Sequence, residues 1–360
     1  MLTRYLLREI FSNFLWVLSV GLLLLYLVRI ADFGPEIFAR GGTFPDLLRF
    51  SGYLLLFLLP FALPLAGLAG VLLAFMRLAQ DQETLALTAL GVSPRQLVKA
   101  VALVALVLFA LGLWFNLFLV PKAKRRMRDT LWELALKRLE RGLPEKTPVD
   151  WFPHLLLYIR KVEKGFYFKD VYLFRETPEG KKGFLYARRG HLSLLPGGVE
   201  ISLEEGEGHF FSANLERVEN LSFRSYRHRF PLRPLEEREF KRGEMGLSAL
   251  LARARSSKLP PRKRHKYLAE FYQRFFYPLA ALVLPFLGLP LGLHLRTSGR
   301  TPALILGLLL YLFYYLLFSF GSTLAEKGKL PPPAAFSLAP LFFGGLAFLL
   351  WRWSLRKEGL

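Results

Sequence analysis

The chain has 360 residues, of which 53% are hydrophobic and 33 are Phe, with a formal net charge of +21 and no Cys. Several uncharged apolar runs of about twenty residues or more have no use in a soluble domain, and each is long enough to cross a ~30 Å hydrocarbon core. Without Cys, disulfide, iron–sulfur and thiolate–zinc chemistry are excluded on this chain.

In chain order, the first span is predicted over residues 10–28, between Arg8-Glu9 and Arg29. No small-residue cleavage site follows a short apolar region there, so this span is expected to be retained. Residues 29–49 read as a short polar loop containing Gly34-Pro35 and Gly41-Gly42. Residues 50–76 carry no charge and would form a second span, kinked at Pro60 and Pro64. Residues 77–99, RLAQDQETLALTALGVSPRQLVK, are a polar break. Asp81 is a candidate helix cap and Glu83 follows in the first turn, where the helix dipole favours an acid. Gly91 suits a left-handed helix stop. Ser93-Pro94-Arg95-Gln96 reads as a capping box with Pro at the first helical position. Ala79, Glu83, Ala86 and Leu90 would share one face. By itself this segment is a capped connector; the alternative is a lever through which a partner moves both spans. A third span is predicted over residues 100–120, ending at Pro121.

Residues 121–141 form a basic, helix-prone stalk. From residue 151 to about 230 the period becomes strand-like, in segments such as FYFKDVYLFRET and VEISLEEGEGHFF, with turn signals PEGKKG and LPGG. Short strands at this spacing predict a small antiparallel barrel or jelly roll. Residues 232–273 return to charged, helical sequence. A fourth span over 275–293 is expected to be broken by Pro278, Pro285 and Pro290, and to need neighbours that satisfy the freed carbonyls. The fifth and sixth spans are predicted over 301–325 and 331–351. The fold class is therefore an α-helical membrane protein with six transmembrane helices and an all-β, jelly-roll-like domain inserted between the third and fourth. The expected division is 1–121, 122–273 and 274–360.

Six spans put both termini on one side and the inserted domain on the other. Ten short-loop cations on the terminal side, among them Arg4, Arg8, Arg77 and Arg95, outnumber five opposite, Arg29, Arg40, Arg49, Lys327 and Lys329, which favours termini inside. The basic flanks PKAKRRMR and PRKRHK pull the other way, although long domains cross largely regardless of charge. Residues 121–274 hold 34 Lys and Arg against 20 Asp and Glu. Because that charge flanks membrane spans, phosphate-bearing lipid is the expected partner and nucleic acid is not.

The chain has no G-x-x-x-x-G-K-[ST], so ATP hydrolysis would reside on another chain. It also lacks H-E-x-x-H and G-x-S-x-G, and its six His are scattered. No catalytic residue, metal ligand or cofactor is expected here.

The connector LAQDQETLALTALGVSPRQ, the three-span, domain, three-span layout and the GLPLG of the fourth span resemble the F and G permease subunits of the lipopolysaccharide-export (Lpt) transporter. The likeness covers essentially the whole chain and is weak within the domain, which is unusually basic. Nothing separates an F-like from a G-like subunit. The resemblance implies that the connector is a coupling helix docking on a cytoplasmic ATPase dimer that carries ATP and Mg. Asp81, Gln82, Glu83, Leu85, Ala86, Leu90 and Gly91 are its candidate contacts. It further implies a periplasmic domain that passes an anionic glycolipid to a lipid-bridge protein, and a second, homologous permease subunit. Arg29 falls where the family carries a basic residue that meets lipid phosphates. Asp32, Arg40 and Arg49 join it as a candidate rim, and Tyr311, Tyr314, Tyr315 and Phe318 would face the acyl-chain cavity. The simpler readings are a snorkelling Arg29 and aromatics packed in the bundle. Two other classes stay in view: a membrane-embedded lipid-modifying enzyme and a structural anchor.

Overall fold

A computed structural model describes residues 2–140, 145–152, 155–163, 166–176, 182–195, 198–211, 218–231, 240–257, 259–294 and 299–357. The chain forms two compact units. One is Met1–Phe33, Leu48–Met127 and Phe240–Leu360; the other is Gly34–Leu47 and Arg128–Glu239.

The helices are α1 (Leu2–Ala39), α2 (Phe44–Gln80), α3 (Glu83–Ala89), α4 (Pro94–Trp114), α5 (Val120–Glu140), α6 (Leu247–Arg255), α7 (Pro261–Phe276), α8 (Leu279–His294), α9 (Thr301–Glu326) and α10 (Pro332–Lys357). Among the described residues five helical stretches are long and apolar enough to cross a membrane, and a sixth arises if α7 and α8, bent by 41°, count as one span. The multi-pass architecture expected from hydropathy is therefore present.

α2 is the best buried of these helices, and α8 packs against it. The GLPLG motif explains how. A Cβ on Gly288 would lie 2.8 Å from the Leu68 carbonyl oxygen, and one on Gly292 would lie 2.7 Å from that of Leu72. The two backbones meet only because both positions lack a side chain. Leu68, Leu72 and Phe75 are fully buried at this crossing.

Three expectations about helix ends are corrected. The loop over 29–49 is mostly helix: α1 runs to Ala39 and α2 starts at Phe44, with a turn containing Gly41 at φ +74°. The reason is an apolar stripe, Ile30, Phe33 and Ile37, that continues the helical spacing through the polar residues; Ile37 is fully buried. Second, Pro121 does not end the third span. A π-helical turn, Phe115–Leu119, precedes it, and the Val120 N–H bonds the Phe115 carbonyl five residues back. This turn absorbs the hydrogen bond that Pro121 cannot make. Third, Pro285 and Pro290 lie inside an unbroken α8, and the only break is at Tyr277-Pro278. Pro278 frees the carbonyl of Arg274, which accepts a hydrogen bond from Asn116 Nδ2 of the π-helical turn at 3.4 Å.

The inserted domain is a six-stranded antiparallel sheet: β1 (Pro148–Phe152), β2 (Leu155–Val162), β3 (Tyr167–Glu176), β4 (Lys182–Leu195), β5 (Gly198–Phe211) and β6 (Val218–Pro231). Each strand pairs with the next, a meander. The sheet has a fold line. Arg160, Asp170, Arg188, Glu205 and Arg224 lie opposite one another across β2 to β6, and Asp170 and Glu205 are left-handed, at φ +51° and +54°. At this row the inward-facing set changes parity on every strand. In β3 it passes from Leu173 and Val171 to Phe168; in β4 from Leu185 and Ala187 to Leu192; in β5 from Phe210 to Leu203 and Ile201. A flat strand with one parity would turn half of these side chains to solvent. The coordinated slip bends the sheet so that both halves cover one core. Arg188 and Glu205 approach to 4.0 Å on this line but are largely exposed, so the pair contributes little. The Tyr186 hydroxyl donates to Asp170 Oδ1 at 2.9 Å, and that carboxylate raises the pKa of the phenol.

Candidate functional site: the connector and its anchor

The connector forms as a short helix between two left-handed stops. Gln82 has φ +57° and Gly91 φ +78°, and between them lie the seven residues of α3 and then Leu90. Val92 N–H bonds the Leu87 carbonyl at 3.0 Å, the six-to-one bond of a glycine-terminated helix. Two predicted details differ. Ser93 caps α4 without a side-chain hydrogen bond, since the Gln96 N–H takes the Ser93 carbonyl at 2.9 Å, so no capping box forms. Asp81 does not cap α3; its carboxylate turns back to Arg77. The left-handed Gln82 also interrupts the face on which Ala79 was expected to join Glu83.

Arg77, in the last turn of α2, holds the connector in place. Its Nε donates to Glu9 Oε1 at 2.8 Å, and its Nη1 to Asp81 Oδ2 at 3.1 Å and to Glu83 Oε1 at 3.3 Å. Its Nη2 donates to the Tyr5 hydroxyl at 2.8 Å, and that hydroxyl donates to Glu83 Oε2 at 2.7 Å. One guanidinium thus ties α1, through Tyr5 and Glu9, to the end of α2 and the start of α3. Three carboxylates surround one cation, so the cluster keeps an excess of two negative charges. All three remain partly exposed. Beyond them Ala86 is exposed and Leu90 is 81% exposed. The Leu85 side chain lies outside the described residues. The connector therefore presents an apolar tip beside an acidic base, the chemistry a cationic groove on another protein accepts. Sequence reading found Glu83 and Gly91 and missed Tyr5, Glu9 and Arg77. The one available signal was the pair of charges, Glu9 and Arg77, at the ends of adjacent predicted spans.

The candidate lipid residues separate. Arg29 and Asp32 are both exposed on α1 and 3.9 Å apart. Arg49 is exposed on α2. Arg40 is not on an open rim: its side chain is 13% exposed, its Nη1 donates to the Leu131 carbonyl at 3.2 Å, and its Nη2 pairs with Glu36. On α9, Tyr314 and Phe318 are buried. Tyr314 packs its ring 5.2 Å from Phe343, and Phe318 lies 5.2 Å from Phe336, so both belong to the α9–α10 core. Tyr311 donates its hydroxyl to the Phe61 carbonyl at 2.9 Å, joining α9 to α2. Only Tyr315 of the four is exposed to this degree, at 40%.

Comparison with known proteins agrees with this layout. The family described as lipopolysaccharide export system permease LptF/LptG matches residues 4–353. The lipopolysaccharide export system permease protein LptF of Escherichia coli (strain K12) is 24% identical over 366 residues, covering 97% of this chain and 94% of that protein. LptF of Shigella flexneri matches to the same extent. With the multi-pass helices, the inserted β domain and the connector all inside that match, the chain belongs to the LptF/LptG family of lipopolysaccharide export permeases.

Proposed function

We propose that this chain is one of two permease subunits of an ATP-driven exporter in the inner membrane. It extracts lipopolysaccharide or a related anionic glycolipid and delivers it through the β domain to a periplasmic bridge protein. The observation that carries this reading is the Arg77 cluster. It couples a surface-exposed acidic connector to the first two spans, so a force applied to α3 reaches α1 and α2 directly. An ATPase dimer, with its own ATP and Mg, supplies that force from the cytoplasm. α1 and α9 carry rows of exposed apolar side chains, such as Leu24, Val28, Leu309 and Leu316, which suit a second permease subunit and the lipid path between the two. Arg29 then meets a lipid phosphate, with Asp32 setting its orientation.

The direct test is mass spectrometry of lipids retained by the complex purified in mild detergent. A phosphorylated glycolipid is expected to stay bound, and to be reduced several-fold by Arg29→Gln. Recovery of bilayer phospholipids alone, from complexes that still hydrolyse ATP, would overturn the assignment of the cargo.

A further inference from the structure

A further groove opens at the connector end of the bundle. α1 and α4 run side by side from the connector end of the bundle and leave between them an open groove of about 870 Å³. Its walls are apolar, with Phe11 and Phe14 from α1 and Val107 and Leu111 from α4. Arg4 and Arg8 stand at one end, one helical turn apart. Neither makes an ion pair among the described residues. The nearby acids Glu9, Asp81 and Glu83 are all bound to Arg77. Two arginines therefore face the head of an apolar groove without a counter-ion among the described residues, where the adjacent cluster neutralises its own cation threefold.

The dimensions match one leaflet of a bilayer. Ten residues of helix from Arg4 to Phe14 rise about 15 Å, half of a ~30 Å hydrocarbon core. The groove is one leaflet deep, cationic at the water end and greasy below. We infer that it binds an anionic phospholipid from the leaflet on the connector side, with the phosphate on Arg4 and Arg8 and an acyl chain along Phe11, Phe14 and Val107. Arginine suits this task because its planar fork donates two hydrogen bonds to one phosphate. Tyr5 lies between the two arginines and binds Glu83, so the lipid would seat directly against the connector's anchor.

The test is native mass spectrometry of the delipidated full-length chain, titrated with phosphatidylglycerol and phosphatidylcholine carrying the same acyl chains. Phosphatidylglycerol is expected to bind more tightly. Arg4→Gln with Arg8→Gln should weaken it about thirtyfold, toward the phosphatidylcholine value. Both positions are exposed, so an unchanged melting temperature is expected to show the variant folded. Val107→Trp, which fills the groove, should weaken both lipids. Equal binding of the two lipids by the unmodified chain, or phosphatidylglycerol binding unaffected by the double substitution, would overturn the site. The chain has no Cys, so Val107→Cys provides a unique thiol. Its crosslinking to another polypeptide in the assembled complex, in place of reaction with a thiol-reactive lipid, would assign the groove to a protein partner and overturn the proposal equally.

Discussion

Glu83→Lys is expected to detach the motor from the permease while leaving the membrane bundle folded. The substitution does two things at once. It reverses the charge at the base of the exposed connector, and it places an ammonium beside Arg77, whose Nη1 now lies 3.3 Å from Glu83 Oε1. Removing one partner of a close interfacial charge pair typically costs about 2–5 kcal/mol, so ATPase affinity should fall by at least about thirtyfold. Glu83→Gln separates the effects. Its amide oxygen still accepts the Tyr5 hydroxyl, which now donates at 2.7 Å, so the connector stays seated while the charge is lost. Export should then be intermediate. Co-purification of the ATPase and the melting temperature of the permease are the two readouts. Undiminished ATPase binding by Glu83→Lys would show that this carboxylate does not face the motor.

Arg77→Gln is expected to give the opposite pattern. The motor still binds, because the acidic base of the connector remains and is now uncompensated. Transmission fails, because the links from Arg77 to Glu9, Tyr5, Asp81 and Glu83 are lost together. The cluster is partly solvated, so the loss of stability should be modest, about 1–3 kcal/mol. Lipid exported per ATP hydrolysed should fall about tenfold, with hydrolysis itself retained. Arg77→Lys restores the charge but not the fork of donors, and should recover only part of the coupling. An unchanged export-to-hydrolysis ratio in Arg77→Gln would remove this residue from the transmission path and leave it a purely structural tie.

Sequence was most informative where the governing physics is local. A run such as residues 50–76 must be a span wherever it packs, and Gly91 stops a helix because of its own backbone freedom. The strands of the β domain were legible for the same reason. What could not be read depends on neighbours far away in the chain. Pro121 looked like a terminus because the π-helical turn that accommodates it has no sequence signature. The fold line from Arg160 to Arg224 needs the register of five strands at once, and no single strand advertises its change of parity. The connector's acid was visible, but its anchor joins residues 68 to 78 positions apart, Arg77 to Glu9 and Glu83 to Tyr5. Among the α9 aromatics, Tyr314 and Phe318 went to the core and Tyr315 to the surface because of where α10 lies, which periodicity along α9 alone does not contain.

Export driven at the connector and unloaded at the β domain requires the two to lie on opposite sides of the membrane. In a chain without Cys, Ala86→Cys and Arg188→Cys each place one thiol at an exposed position, the first on α3 and the second on β4. A membrane-impermeant maleimide applied to cells with a permeabilised outer membrane should label Arg188→Cys at once, and Ala86→Cys only after the inner membrane is opened. Labelling of both thiols under the same condition would contradict a machine driven from one face and unloading at the other.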